Sequence, residues 1–141
     1  MIFPLLLMLA QASEAAPIAP LAKQALPTRG CAAYLFTRGV APVFVAMAGS
    51  GAGADPASLR VMVGGVATDL PRIAQSGAGG FGFAGVTEYE GGGVKAVLDM
   101  TIVTRADLKD GAAVSEASLR LERSGQDSVV VPIGGIVACA P

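Results

Sequence analysis

Between residues 94 and 105 the chain reads VKAVLDMTIVTR, with Ala96, Leu98, Met100 and Ile102 on one parity and Lys95, Val97, Asp99, Thr101 and Val103 on the other. Successive side chains of a β-strand point to opposite faces, so this alternation predicts a long strand with one dry and one wet face. Residues 81–90 (FGFAGVTEYE) place Phe81, Phe83 and Tyr89 on one parity and predict a partner strand. The Gly91-Gly92-Gly93 run between them is a turn signal. A loop from Gly91 to Val94 sets Glu90 opposite Lys95, Phe83 opposite Ile102 and Phe81 opposite Thr104. That register unites the apolar residues on one face, and a slip of one residue would scatter them.

A second hairpin follows. Residues 115–123 alternate Ala117, Leu119 and Leu121 against Ser118, Arg120 and Glu122, and residues 124–127 (SGQD) turn the chain. Residues 128–139 (SVVVPIGGIVAC) form a more continuous apolar run, as in a strand covered on both faces. Pro132 and Gly134-Gly135 within it predict a bulge or an edge position. Residues 107–111 (DLKDG) join the two hairpins.

The first half is less regular. Residues 32–38, 43–47 and 59–66 are candidate strands, and residues 49–54 a loop. Asp55-Pro56 is a helix-start signal, and Leu59, Met62, Val63 and Val66 follow helical spacing. Residues 55–66 therefore stand open between strand and helix, with β-branched content and Gly64-Gly65 favouring strand. Residues 69–75 are read as one short helical turn. The sum is an all-β fold of about seven strands, expected as a small antiparallel sandwich of Ig-like or Greek-key type, with a small β-barrel as the second choice.

The amino-terminal end has a different pattern. Ile2 to Ala10 reads IFPLLLMLA, too short to cross a bilayer core that takes about 20 helical residues. It matches the apolar part of a secretory signal, followed by small-residue sites that place cleavage after Ala12 or Ala15. The departure from that pattern is the absence of Lys or Arg before the apolar stretch. Residues 1–15 are thus read as a signal peptide, 16–30 as a Pro/Ala-rich linker and 31–141 as one domain, with no transmembrane span once the signal is removed. Export puts the chain in the periplasm or outside the cell, where Cys31 and Cys139, at opposite ends of the domain, are expected to pair.

Composition narrows the chemistry. The chain is 52% hydrophobic but only 5% aromatic, with no Trp, so its core rests on aliphatic side chains. The net charge is −1, with ten basic residues spread along the sequence. Nucleic-acid binding needs clustered Lys and Arg, and is not expected. There is no His, which removes His-based triads and His metal ligands. Gly77-Ala78-Gly79-Gly80-Phe81-Gly82 fits G-x-G-x-x-G formally, but a strand rather than a helix is expected after it, so it is read as a turn.

Three carboxylates remain as weak site candidates. Glu88 and Glu90 share one face of a strand, and Asp99 lies mid-strand among apolar neighbours. Paired carboxylates are the tools of glycoside hydrolysis, whereas a solvated strand face with Lys95 as partner needs no function at all. Met47, Met62 and Met100 raise soft-metal binding as a distant option. No catalytic residue, cofactor or metal ligand is assigned. The expectation is an exported, non-enzymatic binding or structural module, with another envelope protein as its partner. The alternatives are a carboxylate-dependent hydrolase or carbohydrate-active domain, and a periplasmic metal-handling domain.

Overall fold

The computed structural model describes residues 18–51 and 56–141. The apolar stretch from Ile2 to Ala10, both cleavage sites and the Asp55 helix signal lie outside the described residues. Eight strands follow one another: β1 (Cys31–Thr37), β2 (Phe44–Gly49), β3 (Ser58–Val63), β4 (Val66–Ser76), β5 (Val86–Gly91), β6 (Val94–Val103), β7 (Gly111–Arg123) and β8 (Val129–Cys139). Each pairs antiparallel with the next, and β8 returns to β1, which closes an up-and-down barrel.

The all-β expectation holds, but the seven-stranded sandwich is corrected to an eight-stranded barrel, the second choice. Sandwiches of Greek-key type need a strand that skips its sequence neighbour, and here every partner is consecutive apart from the β1–β8 closure. The missing strand is β4. Residues 69–75, read as a helical turn, belong to it. Most of its side chains are exposed on both parities, so it carries no alternation to read. Residues 59–66, read as one strand, are divided by the Gly64-Gly65 turn between β3 and β4. The helical spacing of residues 55–66 loses to period two, since Leu59 and Val61 both point into the core. No helix among the described residues is long and apolar enough to cross a membrane.

The interior is filled. Leu35, Leu59, Leu70, Leu98, Leu119, Ile133 and Tyr89 are fully buried, and Ala33, Ala46, Ala48, Ala96 and Ala112 occupy the crowded positions between them. Eight strands enclose a space just wide enough for side chains to fill, so small residues must alternate with large ones. Burial raises the Tyr89 phenol to about 12 despite the nearby Thr87 hydroxyl and Arg72 charge.

The β5–β6 hairpin keeps the expected register: Glu90 faces Lys95, and Gly91 faces Val94 across a Gly92-Gly93 turn. Both central glycines have positive φ, at 56° and 79°, the geometry that matches strand twist and excludes most side chains. The pairing does not extend to Phe83–Ile102 and Phe81–Thr104. The Met100 amide donates to the Gly85 carbonyl at 2.9 Å, and on the amino-terminal side of Gly85 the backbone leaves the sheet. Gly80 bridges Phe83 around Phe81-Gly82, and the loop folds over one barrel end. Phe83 is buried there, so it reaches the same apolar core from a turn instead of a strand.

Closure happens at the β1–β8 seam. Gly135 faces Leu35 across it, and a Cβ at Gly135 would collide with the Tyr34 carbonyl. The bulge expected within β8 lies in its partner instead: from Val114 to Ala117 β7 takes one residue more than β8 takes from Gly135 to Ile133, and β8 is no edge, since it pairs on both sides. Cys31 and Cys139 are direct partners in the register, bonded as a disulfide with Cα atoms 4.0 Å apart and 108 positions apart in sequence. In the chain-entropy model a loop of this size contributes about 4.7 kcal/mol as an upper figure.

Candidate functional site

The outer surface of the barrel has two unlike walls. On β5, β6 and β7 the outward row consists of Glu88, Glu90, Lys95, Val97, Asp99, Thr101, Ser118, Arg120 and Glu122. Neighbours neutralise one another: Lys95 Nζ lies 3.3 Å from Glu88 Oε1, and Arg120 Nε lies 2.9 Å from Glu122 Oε1. The same logic continues on β3 and β4, where Asp69 receives two hydrogen bonds from the Arg60 guanidinium, at 2.7 and 3.0 Å. That fork holds the Asp69 carboxyl below its ordinary range.

All three carboxylates singled out from sequence are on this charged wall. Glu88 pairs in register with Val97, which leaves Lys95 and Asp99 as its diagonal neighbours, and its carboxylate joins Lys95. Glu90 lies near the hairpin turn and lines a hollow of about 300 Å³ with Lys95, Glu122 and Arg123, two charges of each sign. Asp99 is exposed between Val86 and Ser118. Among the described residues no group of three or more His, Cys, Asp or Glu is placed to hold a metal ion. The methionines diverge: Met100 points into the core, whereas Met47 and Met62 alternate with the inward Ala46, Ala48 and Val61. The G-x-G-x-x-G match follows β4 and forms the Phe81-Gly82 turn, with no helix after it to face a phosphate.

The opposite wall, β8–β1–β2, contains no charged residue within its three strands. Tyr34, Phe36 and Phe44 point outward here, with ring centroids 6.1 Å apart for Tyr34–Phe44 and 5.2 Å for Phe36–Phe44. Ile136 faces Tyr34 across the seam and is 47% exposed. Residues 18–30 run over this wall as a strap without regular secondary structure. The Leu21 amide donates to the Phe44 carbonyl at 2.8 Å, and the Tyr34 hydroxyl donates to the Ala25 carbonyl at 2.7 Å. Arg60 donates to the Gln24 side chain at 2.6 Å. Leu21 is buried by this contact, and the cover raises the Tyr34 phenol above its ordinary value by desolvation.

The strap covers only part of the aromatic patch. Beside it an open cavity of about 420 Å³ is lined by Leu21, Leu26, Tyr34, Phe36, Phe44 and Ile136, with Lys23 and Gln24 on its rim. Leu26 is 72% exposed at its mouth. Phe36 also borders a second cavity, of about 510 Å³, formed by Thr37, Arg38, Pro42, Gly134 and Gly135. The two meet at Phe36 as a furrow beside the seam, and the glycines of β8 leave no open space in it: the Arg38 guanidinium lies over Gly134 and the Tyr34 carbonyl crowds Gly135. Arg38 closes the far end. Its guanidinium donates to the Ile133 carbonyl at 3.2 Å and to the Ser115 carbonyl, two groups at the bulge. Lys23, Arg29 and Arg38 are the ionised side chains of residues 18–51, all cationic, whereas residues 86–128 carry an excess of carboxylates.

Sequence reading did not find this furrow, although a signal existed. Tyr34 and Leu35, and Phe44 and Val45, are large apolar pairs on both parities of short strands. One member of each pair must face away from the core. Comparison with known proteins gives no match for this chain among protein-family models, curated proteins or solved structures.

Proposed function

We propose that the chain is an exported, non-enzymatic binding module whose working surface is the outer β8–β1–β2 wall. The observation that carries this reading is an open aromatic furrow on the outside of a barrel whose inside is already filled. Of two tyrosines and five phenylalanines in the sequence, one tyrosine and two phenylalanines are spent there. Apolar area in water forgoes about 25 cal/mol per Å², and a patch with partly exposed Ile136 and Leu26 regains it when a partner covers it. The Cys31–Cys139 bond supports an oxidising compartment, as the amino-terminal signal pattern does. The barrel's pattern is the reverse of a lipid-facing one, which carries an apolar outer band around a polar interior. Here Asp99 and Arg120 are exposed on the outer row at mid-strand, so the surface suits a protein partner better than an enclosing bilayer. The hydrolase alternative draws no support from Glu88, which is held by Lys95 on an open face. The metal-handling alternative draws none from the methionines, since Met100 of β6 is in the core while Met47 of β2 and Met62 of β3 alternate with inward neighbours.

Site-specific photo-crosslinking in cells tests the reading. A photoreactive residue is placed at Leu26 or Ile136 on one wall, and at Val97 or Ser118 on the other. Expected are adducts with a defined partner polypeptide from the first pair only. Adducts confined to the second pair, or none from any position, would overturn it.

A further inference from the structure

Resting on that reading of the wall, we infer that the furrow takes an extended peptide segment of the partner protein, apolar at its centre and acidic at its ends. Three observations converge on this occupant.

The first is shape. From Tyr34 to Arg38 the furrow follows one strand for four residues, roughly 13 Å at ~3.3 Å of rise per residue. That length suits an extended stretch of four or five residues. The strap shows how such a stretch is held: Leu21 lies buried against the wall, with one main-chain hydrogen bond, to the Phe44 carbonyl at 2.8 Å.

The second is the closed sheet. Every strand has two hydrogen-bonded neighbours, so a peptide cannot add itself as another strand. Beyond single main-chain bonds to strand-end carbonyls, recognition comes from side chains, and the furrow offers Tyr34, Phe36, Phe44, Ile136 and Leu26 for apolar contact.

The third is charge complementarity. Lys23 stands on the rim of one half and Arg38 lines the other. Neither makes an ion pair among the described residues. Arg38 spends its donors on two neutral carbonyl groups, which satisfies its geometry and leaves its charge uncompensated. No Asp or Glu lies in β8, β1 or β2. Carboxylates at both ends of a bound peptide meet these two cations, and a peptide with cationic ends meets repulsion.

The test uses the mature exported protein with its disulfide formed. Two fluorescein-labelled probe peptides share a Leu-Val-Leu-Val centre; one has Asp at both ends and the other Lys. Fluorescence anisotropy should show the Asp-ended peptide binding at least tenfold more tightly, with affinity falling as salt rises. Lys23→Glu should erase most of that preference. Arg38→Lys, which keeps the charge but loses the two-carbonyl fork, should retain most of it, provided circular dichroism shows a folded barrel. Equal binding of both peptides would overturn the acidic-end inference while leaving the wall as the binding surface, if crosslinks still form at Leu26 and Ile136. Binding of neither peptide, with cosedimentation on phosphatidylglycerol vesicles instead, would overturn the peptide occupant in favour of a lipid surface. Binding of neither peptide, with no crosslinks at those positions, would overturn both proposals.

Discussion

The charged wall of β5–β7 and the apolar wall of β8–β1–β2 are built on the same backbone plan. Both present an inward row that is buried: Ala96, Leu98 and Met100 on one side, Ala33, Leu35 and Val137 on the other. They differ only in the outward row. On the charged wall opposite charges pair, Lys95 with Glu88 and Arg120 with Glu122, and Asp99 stands exposed to water. On the apolar wall three aromatic rings are covered in part by the strap and are otherwise left open among the described residues. The difference teaches that closure of a small barrel constrains one row of side chains and leaves the other free for a second purpose. The charged row meets water, and the aromatic row is suited to a partner.

Perturbations placed on the two walls should separate them. The largest effect belongs to the disulfide at the apolar wall's seam. Reduction, or Cys31→Ser with Cys139→Ser, should cost about 3–5 kcal/mol in urea unfolding. A loss under ~1 kcal/mol would mean that the β1–β8 hydrogen bonds alone hold the barrel shut. Gly135→Val on the same seam should cost about 3 kcal/mol, since its Cβ meets backbone that has no room to move, whereas Ser118→Val on the charged wall should stay within ~0.5 kcal/mol. Equal costs would deny that the seam is the tighter side.

Tyr89 is the probe of the inner row beneath the charged wall. Its folded pKa, about 12, lies above the unfolded value of about 10. The neutral phenol therefore contributes stability fully below pH ~10, and this contribution is lost as pH climbs through ~12. The wild type should lose about 2–3 kcal/mol over that range from this group, and Tyr89→Phe should lose correspondingly less. Parallel alkaline profiles for the two would contradict the burial of the hydroxyl.

Smaller effects mark the outer rows. Tyr34→Phe removes the bond to the Ala25 carbonyl, and should cost about 1 kcal/mol and speed proteolytic cutting within residues 18–30. Glu88→Ala, by contrast, should change stability by less than ~0.5 kcal/mol, as expected for an exposed ion pair. A loss above ~2 kcal/mol at Glu88 would return it to the list of functional candidates.

How much of this was legible in the sequence follows from where alternation is strong. The β5–β6 turn and the Glu90–Lys95 pairing could be read because Val94–Val103 has one dry and one wet face. The disulfide could be read because only two cysteines exist, at the two ends of the domain. β4 was not legible, since exposure on both parities erases period two. Phe81 and Phe83 were assigned to a strand by parity, and the five glycines around them allowed a turn to deliver Phe83 to the core instead. The furrow was hidden for a different reason. It is assembled from residues 21–44, Val114 and residues 134–136, and that neighbourhood exists only once β8 closes on β1.

The most direct test of the two-wall account is methyl NMR of the protein titrated with a small apolar probe such as isopropanol. Shift changes should concentrate at Leu26 and Ile136, leaving Val97 and the interior methyls of Leu98 and Leu119 unmoved. Changes centred on the interior methyls, or spread equally over both walls, would contradict it.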